Sequence, residues 1–153
     1  MRFWKPKFDY ICLDIKIIFM ETIRTTYTGQ LRTEAIHVQS GNKLITDAPT
    51  DNHGKGETFS PTDLLATSLA SCIFTIMGIK AEASGFNIDG ATAKTWKIMS
   101  ENPRRVAEVK IEFDFSMCEL NDKHKKILQG LVKVSPVPLS LHPETIQNVS
   151  IKF

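Results

Sequence analysis

Apolar and polar positions along this chain change period several times, and each change predicts an element. Thr25–Val38 is rich in β-branched residues, Ser40-Gly41-Asn42 is turn chemistry, and Lys43–Thr46 returns, so residues 22–47 read as a hairpin. Gly29 inside it marks a bulge or a close approach. Asp47–Phe59, with Pro49, Gly54 and Gly56, reads as a polar loop. Between Asp63 and Lys80 the chain then runs sixteen residues without a charge. Ser60 as N-cap, Pro61 at the first helical position and Asp63 three residues after the cap open a helix there. Gly85 closes it where a left-handed cap falls. Leu65, Leu69, Cys72, Ile76 and Ile79 recur at helical spacing as the expected core stripe, with Ser68 and Thr75 bordering it. Leu64, Ile73, Phe74 and Met77 are apolar on other faces, and a helix apolar most of the way round must be buried on several sides. Gly78 within it predicts close packing against a neighbouring backbone.

Thr92–Ser100 and Val106–Phe115 predict a second hairpin, joined by Asn102-Pro103-Arg104-Arg105. Its second strand alternates Ala107, Val109, Ile111, Phe113 and Phe115 against Glu108, Lys110, Glu112 and Asp114, one face buried and one in water. Asn121 caps a second helix with Ile127, Leu128, Leu131 and Val132 on its apolar face, stopping before Pro136. A Pro-rich loop follows, and Val149, Ile151 and Phe153 alternate as a last strand. The order predicts an α+β protein with helices against one face of a sheet.

Composition narrows the function classes. At 153 residues the chain is long enough for one domain with a real core, and 42% hydrophobic with 24% charged residues is ordinary for a soluble protein. A net charge of +2 gives no basic patch for nucleic acid. Cys12, Cys72 and Cys118 are odd in number and widely spaced, which argues for a reducing cytoplasm rather than a disulfide framework. No pair has metal-ligand spacing and His37, His53, His124 and His142 do not cluster, so neither a metal nor another cofactor is expected. Phe8–Phe19 is apolar but too short to span a bilayer, is interrupted by Asp9, Asp14 and Lys16, and lacks a signal cleavage site. Residues 1–19 are therefore expected as an extension, whether an upstream start, an added strand or helix, or a disordered arm, and residues 20–153 as a single domain.

Cys72 lies mid-helix, where the macrodipole gives little help. It is either a core cysteine or a reactive one whose thiolate is held by a cation from elsewhere in the fold. The segment GKGETFSPTDLLATSLASC (Gly54–Cys72), with SPVPLSLHPE (Ser135–Glu144), resembles the OsmC/Ohr family of thiol-dependent peroxide reductases, and most nearly its OsmC-like branch. The resemblance implies an OsmC-like fold: an antiparallel β-sheet, a long buried central helix and a second helix in an intertwined homodimer. It further implies an active cysteine on the central helix near the dimer interface. In peroxidase members that cysteine attacks an organic or inorganic peroxide, and a second cysteine resolves the sulfenic acid as a disulfide. The second cysteine is expected just before the Pro-Val of the later motif, where this chain has Ser135. The glutamate of some peroxidase members corresponds to Thr62, with Asp63 beside it. Family members commonly begin near Met20.

Peroxide attack needs a thiolate and a donor for the leaving oxygen, and an arginine serves both. By resemblance that arginine is Arg32, with Arg24 the alternative. Glu57 is placed to orient an arginine or to be solvated, and Arg104 and Arg105 form a basic pair in a turn. The Ser135 hydroxyl either hydrogen-bonds the Cys72 thiolate or is a neutral replacement. His142 is expected in a structural loop bond more than in proton transfer. Nothing brings Cys118 within disulfide reach of Cys72. Two functions follow. One is a peroxidase using Cys72 alone, with a small hydroperoxide as substrate and an external thiol or lipoyl-bearing protein as resolver. The other is a non-catalytic binding or redox-sensing protein with an apolar pocket at the dimer interface.

Overall fold

The computed structural model describes residues 21–153; the extension expected over residues 1–19 and Cys12 lie outside them. Strands β1 (Ile23–Gly29), β2 (Arg32–His37) and β3 (Lys43–Asp47) form one antiparallel sheet in the order β1-β2-β3. The second sheet has the order β4-β5-β6, from β4 (Thr92–Glu101), β5 (Arg104–Asp114) and β6 (Ile146–Lys152). Between the sheets in sequence runs α1 (Pro61–Ala83), and β5 is joined to β6 through α2 (Asp122–Gly130) and α3 (Pro136–Ser140). The class is mixed α+β, with two small sheets and three helices.

Several sequence expectations are corrected. The single antiparallel sheet is two sheets, and β6 lies parallel to β5. A parallel neighbour needs a crossover connection, which α2 and α3 supply. The long first strand is broken at Gln30-Leu31, whose φ values of 52° and 62° make the tight left-handed turn that antiparallel twist favours. Gly29 does mark a bulge: the register shifts between Tyr27 and Gly29. Arg104 and Arg105 begin β5 rather than lying in the turn. The Pro-rich loop contains α3, with Pro136 at a position where proline's missing N–H costs nothing.

Helix α1 opens as its sequence dictates. Ser60 accepts from the Asp63 N–H at 3.2 Å while Asp63 accepts from the Ser60 N–H at 2.8 Å, a complete capping box. Its core stripe, however, is rotated from the expected one: Ala66, Leu69, Ala70, Ile73, Met77 and Ala81 are buried. Leu65, Cys72 and Ile76 lie half-buried on the flank, and Ile79 is 60% exposed. With apolar residues on every side, periodicity alone had no unique face to choose. A side chain built at Gly78 meets nothing within 4 Å, so the close packing expected there is not made among the described residues.

The core lies between α1 and β5. Val109, Ile111, Phe113 and Phe115 point inward, as the alternation predicts, and Phe74 meets Phe113 edge-on with ring centroids 4.6 Å apart. Val106, not Ala107, holds the next inward place, because a register shift opposite Ile98 and Met99 leaves Ala107 outside the ladder. Although α1 is long and apolar enough to cross a bilayer, it is the core helix here.

Candidate functional site

The flank of α1 brings Cys72 beside the start of α3. Ser135 occupies the N-cap position of α3, yet its side chain makes no cap bond; fully buried, it donates to Cys72 Sγ at 3.0 Å. A hydroxyl so placed gives the sulfur a hydrogen-bond donor and cannot form a disulfide. Cys118 is half-buried, with Sγ 3.9 Å from the Asp89 carbonyl oxygen. Burial pushes its thiol up, and the charges of Asp89 and Asp114 add to the effect.

The structure does not bring Arg32 to Cys72. Arg32 and Asp47 face each other across β2 and β3, and Arg32 Nη2 donates to Asp47 Oδ2 at 3.2 Å and to Glu57 Oε2. Glu57 thus pairs with an arginine, through one of its oxygens. Asp47 is fully buried and accepts from the Glu57 N–H at 3.1 Å. Arg24, the alternative, pairs with Glu21. Arg104 pairs with Asp51 at 3.3 Å and Arg105 with Glu144 at 2.9 Å. His142 Nδ1 accepts from the Glu144 N–H at 3.2 Å, a loop bond. Among the described residues no cluster of three or more His, Cys, Asp or Glu side chains is placed to hold a metal ion.

Lys97 is the residue that sequence reasoning passed over. Ala93, Thr95, Lys97 and Met99 form the inward face of β4, and a lysine in that register was the available signal. Its ammonium reaches Ser60 Oγ, Thr62 Oγ1 and Asp63 Oδ1, each at 2.8 Å, using all three donors on the first turn of α1. It also stands between two clefts. One, of about 540 Å³, is lined by Glu57, Phe59, Asp63 and Thr67; the other, of about 260 Å³, by Thr33, Asp47, Thr62 and Arg104. Cys72 lines neither.

These carboxylates set an expected pH response. The Glu57 N–H holds the Asp47 carboxyl below the usual range; burial opposes this and Arg32 adds to it. At Asp63 burial raises the carboxyl, but bonds from Lys97 and Ser60 together outweigh it and leave it lowered. The Ser116 hydroxyl and N–H, then Lys152, lower Asp114. A carboxyl depressed in the folded state contributes stability that is full above its unfolded value, about 4, and lost as pH falls through the folded value. Urea midpoints should therefore be flat from pH 7 to about 5 and drop below about 4. A midpoint unchanged down to pH 3 would contradict these assignments.

Residues 54–149 match the family model described as OsmC-like protein. No curated protein matches the chain. Among solved structures, one from Psychrobacter arcticus 273-4, described as an osmotic stress induced and detoxification response protein, is 55% identical. The alignment covers 86% of this chain and 96% of that one, with a TM-score of 0.82. An organic hydroperoxide resistance protein OsmC from Legionella pneumophila is 14% identical, covering 90% and 100%, with a TM-score of 0.64. The organic hydroperoxide resistance protein OhrB of Bacillus subtilis is 13% identical, covering 88% and 98%, with a TM-score of 0.59. At such identities the last two establish likeness of fold alone.

Proposed function

The chain belongs to the OsmC-like protein family, and from that premise we propose that it reduces organic or inorganic peroxides through Cys72 alone, with an external thiol as resolver. The observation that carries this reading is the 3.0 Å bond from Ser135 to Cys72. It gives the sulfur a donor while removing any internal disulfide partner at that place. Detoxification in the Psychrobacter relative's description and hydroperoxide resistance in those of the two distant ones agree with this chemistry.

In the first step the Cys72 thiolate attacks one peroxide oxygen. An S–O bond forms, the O–O bond breaks, and the leaving alkoxide or hydroxide takes a proton, giving Cys72 sulfenic acid and an alcohol or water. An external thiol then displaces water to form a mixed disulfide. A second thiol releases Cys72 and leaves as the oxidised reductant. A reducing cytoplasm supplies such thiols, and this is the compartment we assign.

Arg32 enters this scheme from a second copy of the chain. Its partners lie by the first turn of its own α1, whereas Cys72 is about 16 Å farther along the helix. Two features favour an intertwined homodimer. Ser68, Ser71, Thr75 and Ile79 leave one side of an apolar helix uncovered, and Ile23, Tyr27, Leu44 and Ile45 are exposed on the β1-β2-β3 sheet.

The test is consumption of hydrogen peroxide and of cumene hydroperoxide with excess dithiol, with light scattering on the same sample. Catalytic turnover by a dimer is the expected result. Turnover by a monomer would sink the assignment of Arg32 to a second copy. Absence of turnover with both peroxides would leave the non-catalytic binding protein as the better reading.

A further inference from the structure

We infer that Lys97 is a positioning residue for the Arg32–Glu57 pair, an inference that rests on the peroxidase reading above. The argument starts from how little holds Arg32. One nitrogen, Nη2, serves both carboxylates, while Arg32 Nε and Asp47 Oδ1 are buried with no partner among the described residues. The aim of the guanidinium therefore depends on where Glu57 stands. Glu57 is itself 57% exposed, so packing does not fix its side chain; the backbone of residues 56–60 must.

That backbone is tied at two places. On the side of β3, Glu57 N–H donates to Asp47, Asp47 N–H to the Phe59 carbonyl at 3.1 Å, and the Thr58 hydroxyl to the Ile45 carbonyl at 3.1 Å. These bonds link the loop to the sheet that carries Arg32. At Ser60 the loop is tied to α1 by the capping box with Asp63, and to the second sheet by Lys97 of β4, which donates to the buried Ser60 hydroxyl. Lys97 spans Ser60, Thr62 and Asp63 together, and so fixes the first turn of the cysteine-bearing helix relative to the second sheet. Through Ser60 it also fixes the end of the loop that carries Glu57, and with it the aim of Arg32 toward the Cys72 of the second copy. A displacement of about 1 Å in such an arrangement costs up to roughly 100-fold in rate.

The test is a double-mutant cycle on the second-order rate of Cys72 oxidation by peroxide, using Lys97→Met and Glu57→Gln. Lys97→Met should slow oxidation roughly tenfold, and Lys97→Arg should restore most of the rate. In the Glu57→Gln background Lys97→Met should add less than twofold, because both act through Arg32. Effects that multiply, or no recovery with arginine, would overturn the inference. Should Lys97→Met not fold, Thr62→Val removes one of the three bonds without burying an unpaired charge and is judged by the same criterion. Amide hydrogen exchange gives a readout free of activity. Residues 56–60 should exchange at least tenfold faster in Lys97→Met while β6 is unchanged, and equal protection of residues 56–60 in both proteins would sink the inference even if peroxide is reduced. An inactive parent protein with the expected exchange pattern would instead locate the failure in the peroxidase reading.

Discussion

Replacing Cys72 with serine should abolish peroxide consumption, lowering the rate by roughly 1,000-fold or more, as removal of a covalent nucleophile does. Nothing else in the described chain is placed to take over. Cys118 is a poor substitute, since burial and two carboxylates disfavour its thiolate. Fold and stability should survive, because the flank of α1 that holds Cys72 is half-buried and serine is close in size. The complementary change, Ser135→Cys, should divert the oxidised product. A dimedone-trapped sulfenic acid in the parent becomes, in the variant, a disulfide between Cys72 and the introduced thiol, visible as a mass loss of two hydrogens. The parent should also pass to the sulfinic form at lower peroxide doses than the two-thiol variant. Full peroxide consumption by Cys72→Ser would refute the assignment outright.

Phe113→Ala should give the largest loss of stability, about 3–5 kcal/mol. Phe113 is 1% exposed, meets Phe74 edge-on and lies 6.4 Å from the ring of Phe115. Truncation removes the transfer free energy of the ring and leaves a cavity between α1 and β5 that the rigid strand cannot close. Against a typical total of about 5–15 kcal/mol this is a large fraction. Urea unfolding at fixed protein concentration measures it, with an unchanged m-value as the condition for reading a stability change. A loss below about 1 kcal/mol would mean that the ring is not part of the core.

What could be read from sequence was what local chemistry decides. Ser60, Pro61, Asp63 and Gly85 set the ends of α1, and the inward run Val109, Ile111, Phe113, Phe115 set the buried face of β5. The departures have physical causes. Left-handed Gln30 and Leu31 are residues that a turn search built on glycine and asparagine passes by. Pro136 and Pro138 read as loop although proline suits a first turn, so α3 was missed. Of the site, the cap chemistry was legible, and Cys72 and Ser135 were singled out through the family resemblance. Their bond depends on α3 packing against α1, which no local pattern encodes. Lys97 acts at a helix far from it in sequence, and only its inward register hinted at this.

The parallel pairing of β6 with β5 constrains the order in which this protein can be built as it leaves the ribosome. The first sheet and the β4–β5 hairpin pair near neighbours and can form early. One edge of β5 stays unpaired until α2, α3 and then residues 146–152 have been made. Cys72 likewise lacks its hydroxyl partner until Ser135, 63 residues later, has been made. A chain stalled in this window offers both an open strand edge and an unguarded thiol, the features that chaperones and oxidants find first.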